Sequence, residues 1–505
     1  MKKLIFTFLT LATFQMNAAI LVVKEYGVNA TYSTIASALS AALNNDTIVV
    51  YDKPSGQQWI EDLTIDKNIT FMHPTQGTRF KAPGNITIVP KAGMDLYLMG
   101  WNLDGKSVTA TATNATATSS SRAKITVGDC INVNNISLNV DWIDARLFYN
   151  QTNITGNFTF RHGLAVANVL SGGIEVVQES TTAAQNDSIL VVGNKANWCY
   201  IDTKEAGVVA NNYFNNTIRN SALTINYHNP SPGAIFLVAN NTLISNSTLT
   251  VTAGYSGNCG NNCQTITVTT PFPHGFSYGQ TVNMSGWSNG YFNGSFGISN
   301  VTATSFTFNN GCGQCSYNGC NCNGYNGSGS GGSVAGSSPA ELSASALFFR
   351  NCNLANVKIL NNLCYQTNTL IPSYGVYSIG TSGQPLISHN YINLGNGSTG
   401  NVSFIGFNNE LNYTSTTANA YGSIDTWGRA SSGNANLINK GNYLGEYYDI
   451  DLTRNDIGTY GGPYSIDNYL TSGTGKGKVL YVNIKHQLTN LNEILNIKGS
   501  AGAKF

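Results

Sequence analysis

Charge is scarce in this chain, so the few places where charged residues gather are the first candidates for chemistry. Asp141-Trp142-Ile143-Asp144-Ala145-Arg146, followed by Arg161 and His162, reads as a strand on which Asp144 and Arg146 share one face. A carboxylate and a guanidinium side by side could bind or deprotonate an acidic sugar, and they also suit a plain ion pair. Asp187, Asp202 and Glu205, with Lys195 and Lys204, could converge across neighbouring turns of a repeat. Hydrolysis of a glycosidic bond needs that kind of convergence, with two carboxyl groups facing one oxygen. Asp449, Asp451 and Asp456 surround Arg454 near the C-terminus. Three close carboxylates could ligate calcium as a cofactor. The expected reading is structural, with Arg454 paired to a neighbouring carboxylate and Asn455 and Asp456 satisfying backbone groups.

The cysteines form a further set. Cys259, Cys263, Cys312, Cys315, Cys320 and Cys322 crowd one stretch, and their spacings could hold zinc as thiolates. Disulfides are the expected outcome if the chain is exported. Cys352 and Cys364 are disulfide candidates as well, or small core hydrophobes, and Cys130 and Cys199 are equally ambiguous.

Composition narrows the partners. Charged residues make up 10% of the chain and the net charge is +1, which leaves no concentrated basic surface for nucleic acid. The 26 tyrosines, 21 phenylalanines, 6 tryptophans and 66 asparagines could stack on sugar rings and hydrogen-bond hydroxyls. Polysaccharide or cell-surface glycan is therefore the expected partner, with self-association as another route. Lys2 and Lys3 precede an apolar run from Leu4 to Phe14, and Met16-Asn17-Ala18 offers a cleavage site. Residues 1–18 thus read as a signal peptide, and the expected location is secreted or cell-surface. No later segment reaches the length of a membrane span.

These groups must be positioned by short strands. Ile20–Val23 reads as a strand, 33–43 as a helix with Ile35, Leu39, Ala42 and Leu43 on one face, and 46–51, 63–71 and 86–89 as strands. Then a repeat appears. Val209-Ala-Asn-Asn-Tyr-Phe214 is echoed 29 residues later at Val238 and again at Ile359 and, 28 residues on, at Ile387. Asn212, Asn241, Asn362 and Asn390 read as rungs of a ladder at a turn, since Asn tolerates left-handed backbone and its amide can bond the same amide one turn above. A second series, with Asn220, Asn246 and Asn351 between apolar positions, reads as running in phase with the first. The interval from Leu249 to Leu354 is too long for one turn, so an insertion is expected from about 255 to 341.

The opening helix and strands resemble those of pectate-lyase-like β-helix proteins, in which a helix covers the first coil. Trp142-Ile143-Asp144 is similar to part of a lyase strand motif, although no Asp-Asp dipeptide and no Gly-His-Gly of the related hydrolases occurs. Thr265 to Gly286, with Tyr291-Phe-Asn-Gly294 and Ser305-Phe-Thr-Phe308, resembles a small β-barrel module of phage tail and cell-surface proteins. Glu446 to Pro463 resembles the terminal coil of exported β-helix proteins of Bacteroidetes-type bacteria, and that resemblance implies fold and location. The expected fold is therefore all-β, a right-handed parallel β-helix (solenoid) with an N-terminal capping helix and an inserted small β module. Its expected divisions are a signal peptide (1–18), the first solenoid part (19–254), the insertion (255–341), the second solenoid part with its terminal coil (342–470) and a hairpin tail (471–505). The expected function is non-enzymatic glycan contact by an adhesin-like surface protein. The alternatives are a polysaccharide lyase or glycoside hydrolase of the same fold, or a self-assembling surface-layer or filament subunit.

Overall fold

The computed structural model describes residues 18–26, 31–75, 78–82, 84–153, 155–178, 188–217, 219, 221–227, 234–246, 252–256, 264–270, 276–285, 293–302, 305–310, 328–330, 333–336, 344–366, 373–379, 381–392, 405–407, 424–431, 434–443, 448–449, 451–462, 465–466, 477–484 and 497–503. Among these the protein is predominantly β. Short strands alternate apolar and polar residues, which turns one side of each inward. Ile48, Phe71, Leu98, Val127 and Leu147 stack along one wall at 0% exposure.

The strands form a thirteen-stranded, a ten-stranded and a five-stranded sheet, all parallel, and the chain visits them in rotation. Ala206–Ala210 lies in the first, Tyr213–Asn216 in the third, Ser221–Tyr227 in the second, and Phe236–Ala239 is back in the first. The result is a parallel β-solenoid around a single apolar core running from Leu21 to Ile392. Two expected features shift. The segment 63–71 splits into Leu63–Ile65 and Ile69–Met72 on different sheets, because the chain turns a corner at residues 66–68. The second Asn series is out of phase, since Asn246 follows a strand of the five-stranded sheet and Asn351 one of the ten-stranded sheet. The coils differ in length, so equal sequence spacing does not bring equal places together.

The helix is Ile35–Ala41 and buries Ile35, Ala38 and Leu39. Leu43 is 57% exposed rather than on the buried face, because the backbone turns extended at Ala42 and breaks the helical period. Seven residues make a marginal helix on their own. Its ends are held by opposite charges. The Glu61 carboxylate accepts from Ile35 N at 3.1 Å and Ala36 N at 2.7 Å, while Lys67 Nζ donates to the carbonyls of Leu39, Ser40 and Ala42 at 3.1, 3.2 and 2.8 Å. Both charges suit the helix dipole.

Asn212, Asn241, Asn362 and Asn390 stack as a ladder. From Asn150 through Asn168 and Asn194, which extend the same row, to Asn362, each Nδ2 and backbone N–H donates to the next rung's Oδ1 at 2.8–3.1 Å. The left-handed backbone falls on the residue before each rung, at Asn211, Asn240, Asn361 and His389, with φ of 53–57°. The rung itself must point inward to stack, so its predecessor makes the bend.

Between Thr252–Ser256 and Ser333–Gly336 the strands instead form a seven-stranded antiparallel sheet with its own apolar cluster, including Ile266, Val282 and Phe308. The parallel stack continues past it, since Ser221–Tyr227 pairs directly with Ala344–Arg350. Near the C-terminus Gly477–Ile484 pairs with Ile497–Ala503. No helix among the described residues is long and apolar enough to cross a membrane.

Cys352 and Cys364 form no disulfide. Both are free and buried, as are Cys130 and Cys199. Cys364 lies in a strand of the five-stranded sheet, whereas Cys352 follows a strand of the ten-stranded sheet and donates from Sγ to Ile225 O at 3.1 Å. Burial pushes the Cys352 thiol up to about 12, so it stays protonated and unreactive. Cys259, Cys263, Cys312, Cys315, Cys320 and Cys322 lie outside the described residues, as do residues 1–17 and Asp187.

Candidate functional site

The outer side of the thirteen-stranded sheet carries the Asp144 region. Ala123–Gly128 and Ile143–Phe148 pair with Lys124 beside Asp144 and Thr126 beside Arg146. Arg146 Nη2 donates to Asp144 Oδ2 at 3.0 Å, both side chains being part-exposed. One strand further, His162 Nδ1 and Glu205 Oε2 share a hydrogen bond at 2.8 Å. Burial lowers the basicity of His162, but the bond to Glu205 and its charge outweigh that, so its pKa is raised, with Arg122 opposing and Asp144 assisting. The carboxylates here are thus each matched to a cation.

Trp142 stands at the mouth of this strand in left-handed backbone, with φ of 66°. A bulky side chain rarely adopts that conformation, and such strain collects at functional positions. The Arg122 guanidinium carbon lies 5.4 Å from the indole centroid. The ring is half-buried and reaches solvent. The result is an aromatic plate against Arg122 at the start of the strand that bears the Asp144–Arg146 pair, suited to stacking on a sugar ring while polar groups meet its hydroxyls.

Asp202 belongs elsewhere. It lies on the ten-stranded sheet and accepts from Asn226 Nδ2 at 3.2 Å. Glu205 faces His162, Lys195 lies over Trp427 on the five-stranded side at 4.7 Å, and Lys204 occupies the corner between two strands. Among the described members of the expected set, Asp202, Glu205, Lys195 and Lys204 do not converge, because Asp202 and Lys195 lie on different sheets and Glu205 and Lys204 at the corner before a third; Asp187 lies outside the described residues.

The acidic run near the C-terminus is not a further coil. The described residues between 424 and 466 lie along the side of the solenoid as a strap over the bends of several coils. Asn211 Nδ2 donates to Thr459 O and Gly461 O, Asn240 Nδ2 to Asn455 Oδ1 at 2.7 Å, and Gly458 N to Asn361 O at 2.9 Å. Leu437 and Ile457 pack on Leu363 and Tyr391, outside the five-stranded sheet. Arg454 donates from Nε to Gly441 O at 2.8 Å and from Nη2 to Lys440 O at 3.4 Å, rather than to a carboxylate. Asp449 accepts from the backbone N–H of Asp456 and Gly462, Asp451 from Thr453, and Asp456 from Asn439 N. These carboxylates serve turns, and among the described residues no three His, Cys, Asp or Glu side chains gather as metal ligands. The glycines have steric reasons. A Cβ on Gly461 would come within 1.8 Å of Asp456 O, and Gly458 has φ of +100°.

A second ladder was missed from sequence. Asn85 N donates to Asp62 Oδ1 at 2.7 Å, Ser107 N to Asn85 Oδ1 at 3.2 Å, Asn157 N to Asn135 Oδ1 at 2.9 Å and Gly173 N to Asn157 Oδ1 at 2.8 Å. Its signal was present. Each of Asp62, Asn85, Ser107, Asn135 and Asn157 stands before an apolar, hydroxyl, apolar triplet, beginning with Leu63-Thr64-Ile65 and Ile86-Thr87-Ile88. The hydroxyl residues Thr64, Thr87, Thr109, Ser137 and Thr159 therefore stand in one row on the outer face. No family model, curated protein or solved structure matches the chain.

Proposed function

We propose that the chain is an exported surface protein that contacts glycan through the outer face around Trp142 without chemically altering it. In this reading the solenoid is a right-handed β-helix of the pectate-lyase-like kind. The helix Ile35–Ala41 covers its first coil, and the antiparallel sheet is a module set into its side, like those of phage tail and cell-surface proteins. The strap belongs to the type found in exported proteins of Bacteroidetes-type bacteria.

The observation that carries the glycan reading is the left-handed Trp142, which sets an aromatic plate against the Arg122 guanidinium at the start of the strand that bears Asp144 and Arg146. The row of outward hydroxyls from Thr64 to Thr159 supports it with further hydrogen-bonding surface. Binding rather than catalysis is favoured because Asp144 and Glu205 each already hold a cationic partner, whereas an acid or base acting on a sugar needs an oxygen aimed at the substrate. The test is a glycan array followed by calorimetry on the hits. Trp142→Ala is expected to weaken binding about tenfold or more, as loss of one aromatic stacking contact does. Wild-type protein that binds no saccharide sinks the reading.

The His162–Glu205 pair favours a second reading, proton transfer on a bound polysaccharide. Incubating the same hits with the protein and following unsaturated or reducing products separates the two. Turnover would replace the contact reading.

A further inference from the structure

Arg219 is held against an aromatic ring and, among the described residues, makes no ion pair. Its guanidinium carbon lies 3.4 Å from the centroid of the Trp198 ring. The indole in turn rests on the backbone at Gly173, where a Cβ would come within 2.1 Å of it. Trp198 is 3% exposed, so the plane beneath the guanidinium is fixed. Arg219 is half-buried. Its backbone N–H donates to Asn216 Oδ1 at 2.8 Å, while among the described residues its side chain makes no hydrogen bond and no ion pair.

A guanidinium carries five donors, and a partly desolvated one without acceptors is costly unless something completes it. Stacked on an aromatic ring, it is already oriented for a planar, bidentate anion. Its polar neighbours decide which anion. Burial lowers the pKa of Arg219, and Glu175 and Tyr200 counteract that. These two stand side by side on adjacent strands of the ten-stranded sheet, both half-buried. Glu175 is an acceptor only, so it repels a doubly charged phosphate and favours hydroxyl donors next to a single negative charge. Tyr200 adds a ring edge and a hydroxyl.

We propose that Arg219, Trp198, Glu175 and Tyr200 form a subsite for a monoanionic sugar, with its carboxylate or sulfate on Arg219 and its hydroxyls on Glu175. The sugar part of this assignment rests on the glycan-contact reading, and the anion part stands on the geometry of Arg219 alone. The site lies on a different sheet from Trp142 and extends the contact surface around a second corner.

Calorimetry on the full chain tests it with four probes: galacturonic acid, galactose 6-sulfate, galactose 6-phosphate and inorganic sulfate. Binding of galacturonic acid or galactose 6-sulfate is expected, and which of the two is tighter identifies the anionic group. Arg219→Lys keeps the charge but loses the fork and is expected to weaken that binding about tenfold or more, with an unchanged melting temperature showing that the fold is intact. Glu175→Gln is expected to raise affinity for galactose 6-phosphate. Binding indifferent to Arg219→Lys, or phosphate preferred by the wild type, overturns the proposal. If no saccharide binds but inorganic sulfate still binds in an Arg219-dependent way, the sugar half falls together with the glycan-contact reading and the anion half stands.

Discussion

Asp449 shows how one half-buried side chain can make a surface element sensitive to pH. Burial pushes its carboxyl from 3.8 up to about 7, with Asp456 and Asp451 adding to the rise and the amides of Gly462 and Asp456 opposing it. Asp456 is shifted the same way, again chiefly by burial. A group whose pKa is raised on folding holds its proton more tightly in the folded state. Its contribution is therefore fully present below about 3.8 and is lost as pH rises through about 7. Amide exchange at Asp456 and Gly462, corrected for the intrinsic rate, is expected to show strongest protection at the acid end of this window and to weaken toward neutrality. Asp449→Asn is expected to remove most of that slope. A flat profile in the unsubstituted protein would contradict the assignment.

Among elements, the two ladders differ in depth, and mutation should separate them. Asn241 is 0% exposed; its Oδ1 accepts from Asn212 N, and its Nδ2 donates to Asn362 Oδ1, Val209 O and Ala239 O. Asn241→Ala leaves buried groups without partners and is expected to cost about 2–3 kcal/mol. Asn85 lies on an exposed edge, so Asn85→Ala is expected to cost less than about 1 kcal/mol. Urea unfolding of both variants checks the contrast. The deep ladder was partly legible because Asn212, Asn241, Asn362 and Asn390 sit in similar six-residue strings. Asn150, Asn168 and Asn194 escaped because their rungs are 18, 26 and 18 residues apart and follow Tyr149, Ala167 and Gly193 in place of Asn or His. The bend requires a backbone conformation, not one residue type. The Asp144–Arg146 pair was legible by strand alternation alone, whereas His162 and Glu205 meet across 43 residues and no local pattern joins them. The strap was recognisable as a string but not as a strap, because its hydrogen-bond partners on the coils lie 81 to 250 residues away.

Across the whole molecule, a stack in which each coil touches only its neighbours tends to open piecemeal. The strap works against this by bonding the coils of Asn211, Asn240 and Asn361 together. Gly461→Ala, which has no room beside Asp456, is expected to loosen those coils in hydrogen exchange while strands such as Ile48 to Leu147 keep their protection. Uniform loosening along the solenoid would argue against local fastening. The helix Ile35–Ala41 sets a comparable dependence in time. Its two ends are completed by Glu61 and Lys67, residues made after it. As the chain leaves the ribosome, the first coil can be finished only once the second has begun to emerge. A nascent chain stalled before residue 67 would leave the helix Ile35–Ala41 without its C-terminal partner, so this end of the solenoid is built in retrospect.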